Sequence, residues 1–366
     1  MNALEKWDKT VADYLTDCKY RGVSDKTLDN YTKRLRMFRE FWTEHGDTSS
    51  EPTTKDFENW RNYLIDNGKN PSTVAQYLME VRYFYNNVTD EELGENRPYE
   101  KNPVLKRLMP KVQKKPYDNL VPDDKVALLW NRDNYSNIKS YAITVFLLCT
   151  KIRNSELRNL TLNDLDFENE EIIIRHGKGD KARIVDFDKM AQSVIRMYLL
   201  SNYRPMTVSA DDLLFGSKSA HTFGYPKQND EDWHTLSPQA LSNIVERQVQ
   251  KITGIDHIRT HDLRHIGSRI ALNSRAVSME ELQAELGHSD MATTKIYSGR
   301  LILGKRNKKA VNEVLEEKNR QLERNLKMIE KMEEKERKLI ERMSKGTYGK
   351  IPTRIIEETE EDSENR

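Results

Sequence analysis

The segment Arg259-Thr260-His261-Asp262-Leu263-Arg264-His265 carries the residue types best suited to chemistry in this chain. On a helix, His261, Arg264 and His265 stand three and four residues apart and share a face. A guanidinium stays charged and offers a planar fork matched to phosphate oxygens, so this face could clamp an anion. Taken alone, a His–Arg pair more often belongs to a surface network. Other candidates flank it: Leu286-Gly287-His288-Ser289 downstream, then Tyr297 nine residues after His288. Upstream, Thr150-Lys151-Ile152-Arg153 puts an arginine where an apolar helix should stop, and Lys178 sits in a glycine-rich turn, Gly177-Lys178-Gly179-Asp180. Each has an ordinary structural explanation on its own (a helix cap, a turn, half-buried packing). It is their order along the chain that changes the odds.

That order, over about Leu120 to Tyr297, resembles the tyrosine recombinases, also called the phage integrase family. Their catalytic domain carries an arginine box, a hairpin lysine, a His-x-x-Arg box, a further His or Trp, and a nucleophilic tyrosine. The resemblance implies Arg153 as the first-box arginine, Lys178 as the hairpin lysine, His261 and Arg264 as the second box, His288 as the next imidazole and Tyr297 as the nucleophile. The chemistry so implied agrees with elementary considerations. A phenol with a pKa of about 10 is a poor nucleophile until its proton is drawn off and its target polarised. Arg153 and Arg264 would grip the non-bridging oxygens and stabilise charge developing at phosphorus. His261 would accept the phenolic proton, His288 would hydrogen-bond the phosphate, and Lys178 would protonate the departing 5′ oxygen. The family implies a 3′-phosphotyrosine intermediate that retains the energy for rejoining. Neither metal nor ATP is therefore expected, and no cofactor is assigned. Gly299 to Lys305 fits G-x-x-x-x-G-K, but Arg306 stands where a phosphate loop needs Ser or Thr and no strand precedes it, so a nucleotide site is rejected.

Three features depart from the family's pattern. Lys151 stands where glycine is common two residues before the first arginine, and is expected to alter a turn or add a phosphate contact. Lys181 and Arg183 lie near the hairpin lysine. A long charged segment follows Tyr297, where the family usually has a short tail that docks into a neighbouring protomer.

The elements that must hold these residues can be read from periodicity. Leu28, Tyr31, Leu35, Phe38 and Trp42 form one helical stripe, Phe57, Trp60 and Leu64 another, and Val74, Tyr77, Leu78, Val81 and Tyr85 a third. Thr53 or Thr54 can cap the second helix and Ser72 the third. These stripes predict a small all-α bundle over 1–108, whose charged faces include Lys33, Arg34, Arg36, Arg39 and Arg82. Residues 101–115 hold six basic and no acidic residues, and Lys106, Arg107, Lys111, Lys114 and Lys115 are candidate DNA contacts together with Lys151. Within this strip, which reads as linker rather than as an element, 109–118 is assigned as the linker proper. From 119 to 303 the pattern is mainly helical, broken by two β-branched runs at Glu171–Arg175 and Ala182–Phe187 that predict a hairpin. Ser237-Pro238 marks a helix start. Residues 304–346 read as one long charged helix. Val311, Leu315, Leu322, Ile329, Met332, Leu339 and Met343 keep one heptad register, which Lys308, Lys318, Asn325 and Glu336 interrupt, so self-association through 308–343 is possible. The last twenty residues, 347–366, net −3, are expected to be disordered. The fold class is thus mainly α with a small β-hairpin, and the resemblance implies that the α+β part is the catalytic domain and the all-α bundle before it the core-binding domain.

With 366 residues, roughly two or three domains are expected. Charged residues at 33% against 36% hydrophobic leave material for modest cores, and two cysteines rule out a disulfide scaffold. No apolar run approaches a membrane span and no signal peptide is evident, so a cytoplasmic, nucleoid-associated protein is expected, and the resemblance points to a prokaryote or its mobile elements. The net charge of +1 alone would not announce a DNA partner. The resemblance implies double-stranded DNA with specific half-sites and a homo-oligomer on it, a tetrameric synapse. The competing readings are a topoisomerase IB-like nicking-closing enzyme and a non-catalytic DNA binder that keeps the fold, though a binder would have no use for Tyr297.

Overall fold

In the computed structural model the described residues are 1–112, 121–177, 182–201, 211–217, 234–256, 258–274, 277–287 and 307–344. The chain divides into two units, Met1–Lys115 and Pro116–Arg366.

The first unit contains four helices, α1 (Ala3–Tyr20), α2 (Asp25–His45), α3 (Thr54–Asp66) and α4 (Pro71–Val88). Its core is aromatic: Trp7 meets Phe38 and Phe84 with ring centroids 5.2 Å from each, and Phe57 stacks on Phe38 at 4.1 Å. Thr53 caps α3, its backbone N–H donating to Asp56 Oδ2 at 2.8 Å. The cap of α4 is Asn70, whose side-chain oxygen accepts the Ser72 N–H, and not Ser72 itself; Pro71 then takes the first helical position. The charged faces are largely self-paired. Arg39 makes a two-pronged pair with Asp8 at 2.5 and 2.7 Å, and Arg34 lies 3.8 Å over the Tyr77 ring. The basic strip is not linker from its start. A 3-10 turn at Lys106–Leu108 buries Leu108, Val104 is buried beside it, and Arg82 donates to the Val104 carbonyl. Three buried apolar side chains (Tyr99, Val104 and Leu108) thus tie residues 99–108 to the bundle while Lys106 and Arg107 stay exposed.

The second unit is built around α6 (Ile138–Thr150), nearly every residue of which is buried. Around it lie α5 (Asp123–Trp130), α7 (Asn154–Asn159), α8 (Lys189–Leu199), α9 (Pro238–Thr253), α10 (Thr260–Asn273) and α11 (Met279–Leu286). Ser237 caps α9 as its sequence predicts, accepting the Ala240 N–H. The hairpin pairs β2 (Glu171–Ile174) antiparallel with β3 (Arg183–Asp186), Ile172 facing Val185, and β1 (Leu165–Asp166) adds a third, two-residue strand. Alternation is clean, with Ile172, Ile174 and Val185 buried and Ile173 and Ile184 exposed. A separate two-residue pair joins β4 (Gly216–Ser217) to β5 (His234–Thr235). Among the described residues no helix is long and apolar enough to cross a membrane.

The long helix α12 (Asn307–Ser344) overturns part of the coiled-coil expectation. Its apolar seam lies on its own unit: Val311, Val314 and Ile329 are buried, with Leu315 and Leu322 packed against the same core. Two of the supposed interruptions are anchors. Lys318 Nζ sits 2.6 Å from Asp188 Oδ2, and Asn325, 1% exposed, donates to Tyr141 Oη at 3.0 Å and Ser193 Oγ at 3.1 Å. A polar residue in a heptad seam reads as a defect only if the partner is another apolar helix; here the partner surface carries hydroxyls and a carboxylate.

Candidate active site

The arginine box begins where α6 ends. Lys151 adopts a left-handed backbone, φ 57° and ψ 17°, and turns the chain so that Arg153 becomes the N-cap residue of α7. Asp262 sets the start of α10 by accepting the Arg259 N–H at 2.8 Å, which fixes the helical phase that presents His261 and Arg264. At Gly267, α10 crosses α6 so closely that an added Cβ would stand 2.1 Å from the Leu148 carbonyl oxygen. Gly287, φ 60°, ends α11 in the left-handed conformation that glycine favours there.

These elements converge on the C-terminus of α11. Arg264, 2% exposed, donates from Nη2 to the Leu286 carbonyl at 2.6 Å and from Nη1 to the Lys151 carbonyl at 2.5 Å. Arg153 Nη2 donates to the same Leu286 oxygen at 3.1 Å and to Gly287 O at 3.3 Å. Arg183 of β3 donates from Nε to Glu285 O at 2.8 Å. Three guanidinium groups therefore cap the negative end of one helix, a favourable arrangement.

Glu156 holds two of the three together. Its carboxylate accepts both Arg183 terminal nitrogens at 2.8 Å, Arg153 Nη1 at 2.7 Å and the Arg153 backbone N–H at 2.7 Å. Burial alone would push this carboxyl up, but the hydrogen bonds from Arg183 and Arg153 outweigh it and hold the group at about 2. His261 lies with its ring 4.7 Å from that of His265. Partial desolvation by its surroundings, then repulsion from Arg264 and Arg153, lower its pKa against the opposing pull of Asp262. The residue itself is exposed to solvent. It is thus disposed to be a neutral proton acceptor at pH 7.

Of the residues singled out from the sequence, Arg153, His261 and Arg264 are brought to one place. Lys178, His288 and Tyr297 lie outside the described residues, as do Lys114 and Lys115. Lys151 is corrected: it is 6% exposed, with its ammonium 2.8 Å from Glu285 Oε1 and 2.7 Å from the Cys149 carbonyl, so it faces the protein interior and not a DNA surface. Lys106, Arg107 and Lys111 are exposed on the first unit. Sequence reasoning missed Glu156 and Glu285 altogether, and noted Arg183 only as a neighbour of the hairpin lysine. The one available signal was a glutamate three residues after Arg153, a spacing that allows an i,i+3 pair.

Residues 119–301 match the model of the phage integrase family, and residues 11–92 match that of the phage integrase N-terminal SAM-like domain. Tyrosine recombinase XerC of Bacillus subtilis (strain 168) is 25% identical over 304 residues, 81% of this chain and 93% of the relative. Its namesake from Lactobacillus delbrueckii subsp. bulgaricus is 27% identical over 284 residues, 76% of this chain and 89% of that one. Among solved structures, the Tn1549 transposon integrase in complex with transposon right end DNA is similar in fold, with a TM-score of 0.59 at 19% identity over 81% of this chain and 94% of that chain. XerH site-specific recombinase bound to palindromic difH substrate gives a TM-score of 0.58 at 18% identity, over 80% of this chain and 82% of that one. A mainly helical unit with a three-stranded sheet, two arginines donating to one carbonyl at a helix end, and a family match over half the chain agree: the chain belongs to the phage integrase family, the tyrosine recombinases.

Proposed function

We propose that this enzyme is a site-specific recombinase that cuts and rejoins double-stranded DNA through a covalent 3′-phosphotyrosine at Tyr297. The observation that carries the reading is the shared acceptor of Arg153 and Arg264. Two guanidinium groups fixed on one oxygen are set to grip one phosphate, and fixed donors stabilise developing negative charge without reorganising during the reaction. In this reading Tyr297 Oη attacks phosphorus and passes its proton to His261. The bond to the 5′ oxygen breaks, and Lys178 supplies the proton to that leaving group. His288 hydrogen-bonds a non-bridging oxygen. Reversal, with the 5′ hydroxyl of another strand as nucleophile, rejoins the backbone and releases Tyr297.

The division of labour proposed is a DNA-binding bundle at 1–108, a basic linker at 109–118 and the catalytic domain at 119–303. The same proposal assigns a long charged helix to 304–346 and an acidic segment to 347–366. Lys106, Arg107, Lys111, Lys114 and Lys115 supply sequence-independent phosphate contacts. The active species is a homo-oligomer, a tetrameric synapse on paired half-sites, working in the cytoplasm at the nucleoid. Self-association through 308–343 would require Val311, Val314 and Ile329 to leave the core they occupy, and it is not part of this proposal. A nicked suicide duplex bearing the target half-site tests the chemistry. The chain should become covalently attached, and Tyr297→Phe should abolish attachment while retaining DNA binding. Attachment that survives Tyr297→Phe contradicts the reading, and relaxation of supercoils without strand exchange would favour the nicking-closing alternative.

A further inference from the structure

Lys151 stands out for its backbone. Among the described residues only Glu170 shares a positive φ without being glycine. Side chains with a Cβ disfavour this region, and such conformations persist where the surroundings over-determine them. Here they do so at several points. The Lys151 ammonium is 2.8 Å from Glu285 Oε1 on α11 and 2.7 Å from Cys149 O, in a pair whose side chains are 8% and 12% exposed. Its Cγ lies against Gly267 of α10, where even a methyl group would stand 3.1 Å away. Its own carbonyl accepts Arg264 Nη1 at 2.5 Å. Glu285 is the residue before Leu286, the shared acceptor of Arg153 and Arg264.

We propose that Lys151 and Glu285 form a buried latch that positions both phosphate-gripping arginines. The Lys151 carbonyl holds Arg264 directly. Its ammonium holds the end of α11, so that the Leu286 oxygen sits where both guanidinium groups reach it. Neither residue touches the reacting atoms, so both are positioning residues. Burial pushes the Glu285 carboxyl up, and Lys151 opposes that rise without cancelling it. A buried pair of this kind is weak evidence for stability, since apolar replacements of similar volume often serve as well, but breaking it from one side strands a charge. That asymmetry makes the idea testable. It rests on the role given to Arg153 and Arg264 above.

The full-length chain is compared with Lys151→Gly, Glu285→Gln and the paired replacement Lys151→Met with Glu285→Leu. Glycine accepts φ 57° without strain, so Lys151→Gly keeps the turn while removing the ammonium and the buried side chain that carries it. Amide hydrogen exchange on the DNA-free protein reads the end of α11 and residues 152–154. Single-turnover cleavage of the suicide duplex and equilibrium DNA binding read function. The single variants should exchange faster at both places and cleave about tenfold to a hundredfold more slowly, with DNA affinity within about threefold of the parent. The paired replacement should recover exchange protection and most of the cleavage rate. Unchanged exchange in the single variants overturns the latch, as does faster exchange with undiminished cleavage, or a paired replacement no better than either single one. If the parent forms no adduct at all, the proposed function fails. The exchange measurement then still decides whether the latch orders this end of α11.

Discussion

Arg153 and Arg264, 111 positions apart in the sequence, donate to one carbonyl oxygen, that of Leu286, at 3.1 and 2.6 Å. Neither arginine is placed by its own helix alone. Arg153 depends on where α6 stops, Arg264 on where α10 starts, and both on where α11 ends. A substitution that moves any of the three ends acts on both guanidinium groups at once.

Replacing either arginine by lysine keeps the charge and loses the planar fork. Arg264→Lys and Arg153→Lys should each lower cleavage by about two to three orders of magnitude, as removal of a preorganised donor does elsewhere. Filter binding of uncleaved duplex should change far less. A comparable loss of binding would mean that the arginines serve affinity rather than the chemical step.

Glu156 predicts a dependence of stability on pH. Its carboxyl is held at about 2 in the folded chain against an ordinary 4.5. A lowered folded value stabilises above the unfolded value, and this contribution is lost as pH falls through the folded one. The displacement corresponds to about 3 kcal/mol for this buried group. Urea midpoints should therefore fall between about pH 4.5 and pH 2, and Glu156→Gln should flatten that portion of the curve. Midpoints of the parent and Glu156→Gln that run parallel through this window would refute the assignment.

The His261 imidazole is lowered from its ordinary 6.5 by its surroundings and by Arg264 and Arg153. Protonation removes the acceptor, so cleavage should decline on the acid side only, with a midpoint below 6.5. Single-turnover rates between pH 5 and 8 at constant ionic strength decide this. A midpoint at or above the ordinary value would exclude His261 as the group seen.

α12 should behave as part of the second unit's core. Asn325→Ala leaves the Tyr141 and Ser193 hydroxyls without their amide partner, at a cost of about 1 to 3 kcal/mol. Truncation after residue 306 should destabilise the unit more than any point change, because Val311, Val314 and Ile329 vacate buried positions. Calorimetry of the truncated chain that showed an unchanged unfolding temperature would make α12 an appendage.

The contrast between α2 and α12 shows what a sequence discloses. The stripe Leu35, Phe38 and Trp42 is legible because its partners are apolar, so burial and hydropathy coincide. In α12 the inward-facing positions include half-buried Lys318 and buried Asn325, whose partners lie some 130 to 180 residues away, and hydropathy misassigns them. The hairpin was legible from its β-branched runs, whereas β1 is two residues long and has no period to detect. At the site, residue types and order single out Arg153, His261 and Arg264 as candidates. The ion pairs from Glu156 to Arg183 and from Lys151 to Glu285 were not legible, because no local spacing links residues 27 and 134 positions apart. Lys151 reads as a surface cation in the sequence because lysine ordinarily is one.

The most direct test locates the covalent bond. Adduct trapped on the suicide duplex is digested, and the nucleotide-bearing peptide is mapped by mass spectrometry while the released DNA end is characterised. The proposed mechanism predicts nucleotide attached through a 3′ phosphate to Tyr297, with a free 5′ hydroxyl on the other side of the break. Attachment at another residue, or through a 5′ phosphate, would contradict it.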